Sequence, residues 1–138
     1  MDIVEVPIIA ISDGDAILSV FDYSHVLGFK PVRFFFINSA KITKRGGHSH
    51  KECAQLISIT KGTARVTIKT PLQERIWIAN SLNTALYIPP GHWVEIEMNI
   101  DTTVTVLADK SFSEEDYIRD FDTYCYWHAN SEGQNARN

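Results

Sequence analysis

The sequence contains little cysteine and no long apolar run, and both absences narrow the class of protein. Two of the 138 residues are cysteines, Cys53 and Cys125, and neither belongs to a CxxC pair. Nothing in this spacing suggests a disulfide framework, so reduced thiols are expected. No apolar stretch approaches the roughly 20 residues of a membrane span, and the N-terminus MDIVEVPIIAISDGD lacks the basic region of a signal peptide. We expect a soluble, cytoplasmic protein.

An excess of positive charge is also missing. The chain has 13 lysines and arginines against 17 aspartates and glutamates, which gives a formal net charge of −4. It therefore has no global basic field for nucleic acid, although a local basic cluster can still bind a small anion. Hydrophobic residues make up 44% and charged residues 22%, as in ordinary globular proteins. The length fits one domain, residues 1–138.

No long helical pattern interrupts the sequence, and short strand patterns dominate. They contain many β-branched and aromatic residues and recur at roughly 8–12-residue spacing, which predicts an antiparallel sandwich or barrel. Turn sequences such as KGT, NSLN and PPGH separate them. Two early strands, IVEV and AILSVF, are predicted around the turn SDGD. The other predicted strands are 32–37, 54–60, 64–70, 75–80, 85–89, 93–98 and 103–108.

One helix is predicted, near the C-terminus, in the stretch SFSEEDYIRDF. Ser113 is a suitable N-cap, and Asp116 three residues later forms a loose capping box. Acidic residues in the first turn also suit the helix dipole. The last stretch, ANSEGQNARN (129–138), is polar and expected to fray.

Two histidines one residue apart, His48 and His50, are the main candidate for a functional site. Gln55 follows five residues after the pair and Gly62 closes the motif, which resembles the first cupin motif except that metal-binding cupins have a glutamate at the position of Gln55. YIPPGHW resembles the start of the second cupin motif, but Val94 stands where its histidine is expected. Two of four metal ligands are thus replaced, and we expect neither a metal nor another cofactor.

Acid/base chemistry is the other interpretation of His48 and His50. Residues i and i+2 of a strand point to the same face, so both imidazoles project together. An imidazole has a reference pKa of about 6.5 and can take and give a proton near neutral pH. Two adjacent imidazoles can move protons between neighbouring atoms of one substrate, whereas a solvated strand end is the simpler alternative.

Several segments together resemble the sugar 3,4-ketoisomerases of the cupin superfamily, the WxcM-like group. They are VRFFFI, RGGHSHK with its glutamine, YIPPGHW and VTVLADKSFSEEDYIRDFDTY, and they extend from about residue 30 to 124. The resemblance implies an all-β, cupin-type jelly-roll homodimer that often exchanges N-terminal strands. It also implies a substrate of the dTDP-4-keto-6-deoxyhexose class, whose ketone moves from C4 to C3 without metal or redox cofactor. The products of the group enter amino-sugar pathways for surface polysaccharides or glycosylated natural products.

The resemblance also suggests roles for individual residues. His50 is the expected acid/base at carbon and His48 the expected shuttle between the oxygens, although this division could be reversed. Many relatives carry a proton-handling tyrosine twelve residues before the first histidine, where this chain has Phe36. Three explanations are open: the tyrosine is dispensable, another hydroxyl such as that of Tyr87 replaces it, or the activity is lost or changed.

Further residues are expected to bind the nucleotide sugar. Arginine matches phosphate oxygens bidentately, and Arg33 and Arg45 flank the histidines. Lys51 is expected on the opposite face, at a dimer contact or a phosphate of the partner chain, while the segment DYIRDF is expected to support the dimer rather than catalyse. The remaining candidates are Trp93 for stacking or core packing, Glu95 as a histidine partner if it points inward, and Phe36 in place of the tyrosine. Gln55 is a candidate for binding a sugar hydroxyl or orienting a histidine, with packing at the floor of the barrel as the equal alternative.

Three other functions are considered for the same motifs. A related keto-sugar epimerase would also use a histidine base, normally with a tyrosine acid across the pocket. A nucleotide-sugar-binding module without turnover fits Phe36 but not the intact histidine pair. A metal-dependent oxygenase fits least, because two ligands are missing.

Overall fold

A computed structural model describes residues 3–24, 26, 28–79 and 84–137, with side chains described as far as residue 131. The predicted turn NSLN (80–83), the last residue of the predicted strand 75–80 and the end of the tail lie outside the described residues. In the described part of the chain, no helix is long and apolar enough to cross a membrane.

Two antiparallel sheets form the body of the protein, as the strand spacing predicts. The six-stranded sheet has the order β2-β1-β8-β5-β10-β3 and the five-stranded sheet the order β11-β4-β9-β6-β7. The strands are β1 (Val4–Asp13), β2 (Ala16–Phe21), β3 (Arg33–Ser39), β4 (Thr43–His50), β5 (Gln55–Lys61), β6 (Ala64–Lys69), β7 (Glu74–Ala79), β8 (Thr84–Ile88), β9 (Trp93–Met98), β10 (Thr102–Ala108) and β11 (Tyr117–Ile118). This all-β cupin-like architecture confirms the predicted fold class.

The main core lies between the facing surfaces of the two sheets. Alternate residues of each strand point inward, which is the period-2 pattern that identified these strands in the sequence. Their side chains form one buried cluster that includes Ile57, Ile59, Val66, Ile68, Leu86, Val94, Ile96, Met98, Val104 and Val106. The two sheets therefore share one apolar interior, and the candidate site opens at one end of it.

Two strands differ from the prediction: β11 was not predicted, and β4 was anticipated only at His48 and His50. The sequence of β4, TKRGGHSH, has two adjacent glycines and no alternating apolar residues. Glycine is depleted in strands, so local propensity argues against this one. β4 exists because it pairs with β9 and β11 on either side.

The predicted C-terminal helix exists, but its predicted position was wrong. Ser113 caps only a 3₁₀ turn, Glu114–Asp116, without a side-chain hydrogen bond, and Tyr117 and Ile118 then pair with β4. Helix α1 spans Phe121–Arg137 and so includes residues 129–137, which we expected to fray. Its N-terminus is capped by Asp120, whose Oδ2 accepts a 2.9 Å hydrogen bond from the Thr123 N–H.

Candidate active site

A β-bulge at Gly46 and Gly47 turns both histidines toward the interior. Gly46 pairs with Glu95 and His48 with Val94, so Gly47 is one extra residue in β4. Both glycines have positive φ, 83° and 73°, a conformation that side chains other than glycine rarely adopt. Because the side-chain period is two, a continuous ladder would place His48 on the outer face. The two glycines thus decide which face the histidines occupy.

The two imidazoles and the ring of Tyr117 form one cluster. The ring centroids of His48 and His50 are 5.1 Å apart at 85°, and that of Tyr117 is 5.0 Å from the first and 4.4 Å from the second. Tyr117 comes from β11 and pairs directly opposite His50. His48 and Tyr117 line a cavity of about 190 Å³ between the two sheets. The predicted adjacency of His48 and His50 is confirmed.

His50 is buried, and its two ring nitrogens have different surroundings. Nδ1 lies 2.7 Å from Asp116 Oδ2, whereas Nε2 is buried without a hydrogen-bond partner among the described residues. Burial lowers the pKa of His50 and outweighs the opposing effect of Asp116. Burial by itself would raise the pKa of Asp116, but hydrogen bonds from His50 and the Glu52 N–H keep it lowered. An ionised carboxylate only accepts, so Nδ1 carries the proton and Nε2 keeps its lone pair.

His48 is also neutral near pH 7. Burial, followed by the nearby His50 and Arg119, lowers its pKa to about 4. Neither imidazole therefore needs to lose a proton before it can act as a base at neutral pH.

Arg33, at the start of β3, brings a permanent positive charge to the same cluster. Burial by itself lowers its pKa, but contacts with the Tyr117 hydroxyl and the Cys53 thiol leave it raised overall. The guanidinium also lies over the rings of Phe35 and Phe112, 5.4 and 5.8 Å from their centroids. Its Nε is buried without a hydrogen-bond partner in the described structure. The cation is thus held by aromatic rings and retains a free donor.

Three further polar residues line the cavity. Gln55 is buried at the start of β5, and Arg45 and Arg119 contribute from the more exposed side. Arg119 stacks on Tyr117, with Cζ 4.4 Å from the ring centroid, and forms two hydrogen bonds to the carboxylate of Glu114. The structure therefore places Arg45 and Gln55 in the cavity that His48 lines, and the binding roles expected for them from the sequence stay predictions.

Trp93 and Glu95 lie on the other face of β9, away from the cavity. Trp93 is buried in an outer cluster, where it stacks on Tyr124 with ring centroids 5.7 Å apart and contacts Ile118. Its Nε1 donates a 3.2 Å hydrogen bond to Glu95, which pairs with Lys69 at 3.3 Å. Glu95 therefore does not point inward, which was the condition for its pairing with a histidine, and Asp116 is the carboxylate beside His50.

Phe36, Lys51 and Tyr87 also lie outside the cavity of this chain. Phe36 is 58% exposed on the outer face of β3, since its neighbours Phe35 and Ile37 occupy the inner face. The prediction that Phe36 lines the histidine pocket is wrong. Tyr87 packs in a separate outer cluster with Phe29, so its hydroxyl does not replace a tyrosine of the pocket.

Lys51 is exposed beyond the end of β4. It lines a surface cleft that it shares with Lys110 and Asp116 rather than the histidine cavity. This placement agrees with the prediction that it points away from His50.

Three residues that sequence reasoning missed complete the site: Asp116, Tyr117 and Arg119. All lie in EEDYIRDFDTY, the segment interpreted as a helix that supports the dimer. A usable signal was present, because this segment is one of the most specific parts of the family resemblance. Local pattern alone could not show that β11 pairs with β4 and reaches the histidines.

One group of side chains in the described structure could hold a metal ion. The ligand atoms of His50, Cys53 and Asp116 lie within 4.8 Å of one another. Arg33 Nη2 is 3.9 Å from Cys53 Sγ, so a permanent cation already stands beside this group and repels a second one. Two of the four positions that hold the metal in metal-binding cupins are changed here, to Gln55 and to Val94, which is not a ligand.

Comparisons with known proteins identify the family. Residues 1–128 match the family described as "FdtA: WxcM-like, C-terminal", and the chain belongs to it. A TDP-4-oxo-6-deoxy-alpha-D-glucose-3,4-oxoisomerase of Aneurinibacillus thermoaerophilus is 28% identical over 116 residues, which are 83% of this chain and 84% of that protein.

Solved structures of similar proteins agree with this assignment. A mutant of a 3,4-ketoisomerase from Thermoanaerobacterium thermosaccharolyticum, in complex with TDP-4-keto-6-deoxyglucose, has a TM-score of 0.85 at 27% identity and covers 93% of this chain and 94% of its own. A 3,4-ketoisomerase from Helicobacter canadensis has a TM-score of 0.86 at 25% identity, covering 94% and 98%. The resemblance stated from the sequence is thus confirmed.

Proposed function

We propose that this protein is a sugar 3,4-ketoisomerase that moves the ketone of a dTDP-4-keto-6-deoxyhexose from C4 to C3, in deoxy-amino-sugar biosynthesis. The observation that carries the proposal is the pair of adjacent neutral imidazoles, one of which has Nδ1 bound by Asp116 and Nε2 buried and free. A buried polar atom without a partner costs free energy unless a ligand completes it. The family and the activities of its relatives agree with this assignment.

The isomerisation needs proton transfers but no net oxidation. His50 Nε2 removes the acidic proton at C3, next to the carbonyl, and the electrons move to the C4 oxygen as an enolate, which becomes the enediol when that oxygen gains a proton. The same imidazole then returns a proton to C4. His48 is placed beside it to take a proton from the C3 oxygen as the new ketone forms. Metal is not required in this scheme, and the replaced cupin ligands at Gln55 and Val94 do not favour one.

The same cavity offers groups for binding the nucleotide sugar. Arg45 lines its exposed side, where a diphosphate would leave the cavity. Arg33 does not line the cavity, but it lies behind Tyr117 with a buried Nε that has no partner in the described structure. Gln55 is buried on the inner face of β5 and can hydrogen-bond a sugar hydroxyl. We assign Lys51, outside the cavity, to a partner chain's phosphate or to the dimer contact.

A homodimer is part of the proposal, and the hairpin of β1 and β2 supports it. β1 pairs with β8 only through Val4–Pro7, and beyond this point residues 8–21 form a two-stranded ribbon. Ile9, Ile11 and Leu18 share one face of the ribbon and are 48–58% exposed. Isolated hairpins are at best marginally stable in water, so a second copy is the partner we expect for this apolar face.

We also propose a cytoplasmic location. Cys53 and Cys125 are both free thiols, as is usual in a reducing compartment. The purified protein should fold and be active under reducing conditions, without oxidised glutathione to form disulfides.

Incubation with dTDP-4-keto-6-deoxyglucose in D₂O, followed by NMR, tests the function. A 3-keto product is expected. Deuterium incorporation without migration of the ketone would indicate epimerase-like chemistry, and binding without any change would indicate a binding module. Parallel reactions with the corresponding UDP-linked sugar show whether the protein prefers the dTDP or the UDP nucleotide.

His50→Asn is the matched variant for this experiment. We expect it to abolish turnover while the affinity for dTDP stays within about threefold, because His50 acts on the sugar rather than on the nucleotide. Normal turnover by this variant would contradict the role of His50.

A further inference from the structure

We propose that Tyr117 is a catalytic residue whose hydroxyl gives a proton to the C4 oxygen of the keto sugar. This inference rests on the proposed isomerisation. Tyr117 is the tyrosine that lines the histidine cavity in the described structure, whereas Tyr87 packs in an outer cluster on the opposite face of the six-stranded sheet.

The C4 oxygen of the substrate needs a proton donor during the reaction. When His50 removes the C3 proton, negative charge develops on the C4 oxygen, which must receive a proton to become an enediol. His48 is neutral, with its pKa lowered to about 4, so at neutral pH it is ready to accept a proton rather than to donate one. In this order of steps the C4 oxygen needs its proton before His48 has taken one from the C3 hydroxyl, so a different group is the donor.

The hydroxyl of Tyr117 lies close to the guanidinium of Arg33 and contributes to the raised pKa of that group. A guanidinium only donates hydrogen bonds, so in a contact between the two groups the phenol oxygen accepts and its own proton is available for another acceptor. Arg119 stacks on the ring of Tyr117, with Cζ 4.4 Å from the ring centroid, and helps to fix it. The pairing of Tyr117 with His50 across β11 and β4 places the phenol beside both imidazoles.

The protons balance over one turnover. Tyr117 O–H breaks as the C4 oxygen gains its proton, and His48 accepts the proton of the C3 hydroxyl as C3=O forms. The imidazolium of His48 then returns that proton to the phenolate oxygen, across rings whose centroids are 5.0 Å apart. His50 moves one proton from C3 to C4. No oxidant or reductant is needed, and all three groups end in their starting states.

The test is Tyr117→Phe, followed in D₂O with dTDP-4-keto-6-deoxyglucose by NMR, with Tyr87→Phe as the matched control. We expect formation of the 3-keto product to fall by about 100-fold or more, while slow exchange of the C3 hydrogen continues because His50 is intact. Binding of dTDP should change by less than about threefold. The control should keep normal turnover.

Two results of this variant would overturn the inference. Turnover within threefold of wild type would show that the hydroxyl is dispensable. Loss of both migration and C3 exchange, with dTDP binding retained, would show that Tyr117 instead positions His50. An inactive wild-type protein would refute the proposed function itself, and this inference with it.

A second variant avoids dependence on the folding of Tyr117→Phe. Incorporation of 3-fluorotyrosine at position 117 keeps the hydroxyl and makes it more acidic. For a proton-donating phenol, the basic limb of the pH–rate profile should move to lower pH. An unchanged profile would contradict the assignment, since a purely structural ring does not alter it.

Discussion

Asp116 and His50 are 66 residues apart in the chain, yet Asp116 Oδ2 lies 2.7 Å from His50 Nδ1. The other carboxylate oxygen accepts a 2.7 Å hydrogen bond from the Glu52 N–H, so the carboxylate is fixed from two sides. Since the pKa of His50 is lowered, this contact is a hydrogen bond from a neutral imidazole rather than an ion pair. Its consequence is a defined tautomer with the lone pair on Nε2.

Replacement of Asp116 by asparagine should remove this tautomer preference. The amide can donate to Nδ1, which would place the proton on Nε2 and leave no base for the substrate. We expect kcat to fall by about 100-fold or more, with dTDP affinity nearly unchanged. Steady-state kinetics check this, and Glu115→Gln, an exposed neighbour in the same 3₁₀ turn, is the control. A loss of less than threefold would argue against an orienting role.

Substitution of the bulge glycines should give unequal effects. A Cβ on Gly46 would lie 2.6 Å from the Val94 carbonyl oxygen, whereas one on Gly47 meets nothing within 4 Å. Gly47→Ala should therefore cost about 1 kcal/mol of unfolding free energy, from its positive φ alone. Gly46→Ala should cost about 3 kcal/mol, because the clash with Val94 adds to the same φ strain. Urea denaturation measures both. Activity should fall more in Gly46→Ala, because the bulge aims His48, and equal losses in the two variants would contradict this.

Acid should destabilise the protein through His48. Its pKa is about 4 in the folded protein against 6.5 as the ordinary value, so between these pH values the unfolded chain binds more protons. Stability is then lost as pH falls from 6.5 toward 4, by about 1–3 kcal/mol for this residue.

His48→Asn is the comparison that isolates this effect. His50 and His92 also have pKa values lowered by burial and act in the same direction, but they remain in the variant. Urea denaturation at pH 7.0, 5.5 and 4.5 should show a weaker pH dependence for His48→Asn. Identical slopes for the two proteins would mean that His48 does not titrate in this range.

Trp93 should matter for stability and not for substrate binding. Trp93→Phe loses the hydrogen bond to Glu95 and part of the stack on Tyr124, which should cost about 1–2 kcal/mol of unfolding free energy. KM and kcat should stay within about twofold of wild type. The opposite pattern is expected for Gln55→Leu, where KM should rise about tenfold with little loss of stability. A raised KM in Trp93→Phe would show that Trp93 contributes to substrate binding after all.

Much of the architecture could be predicted from local sequence. Alternation such as Val66 and Ile68 against Arg65 and Thr67 marks a strand with one buried face, and period 2 needs no tertiary information. The histidine pair was also identifiable, because spacing of two residues puts both side chains on one face. The helix was misplaced, since the Asp120–Thr123 cap was overlooked in favour of Ser113, whose 3₁₀ turn ends where Tyr117 pairs with β4.

The sequence by itself determined that strands predominate and that His48 and His50 point the same way. Only the tertiary structure decided which way, because one extra residue at Gly46–Gly47 reverses every later side chain of β4 relative to β9. It also decided that Asp116 rather than Glu95 accompanies His50, and that Tyr117 rather than Phe36 reaches the cavity. These contacts join residues far apart in the chain, so strand pairing, which local propensity does not encode, creates them.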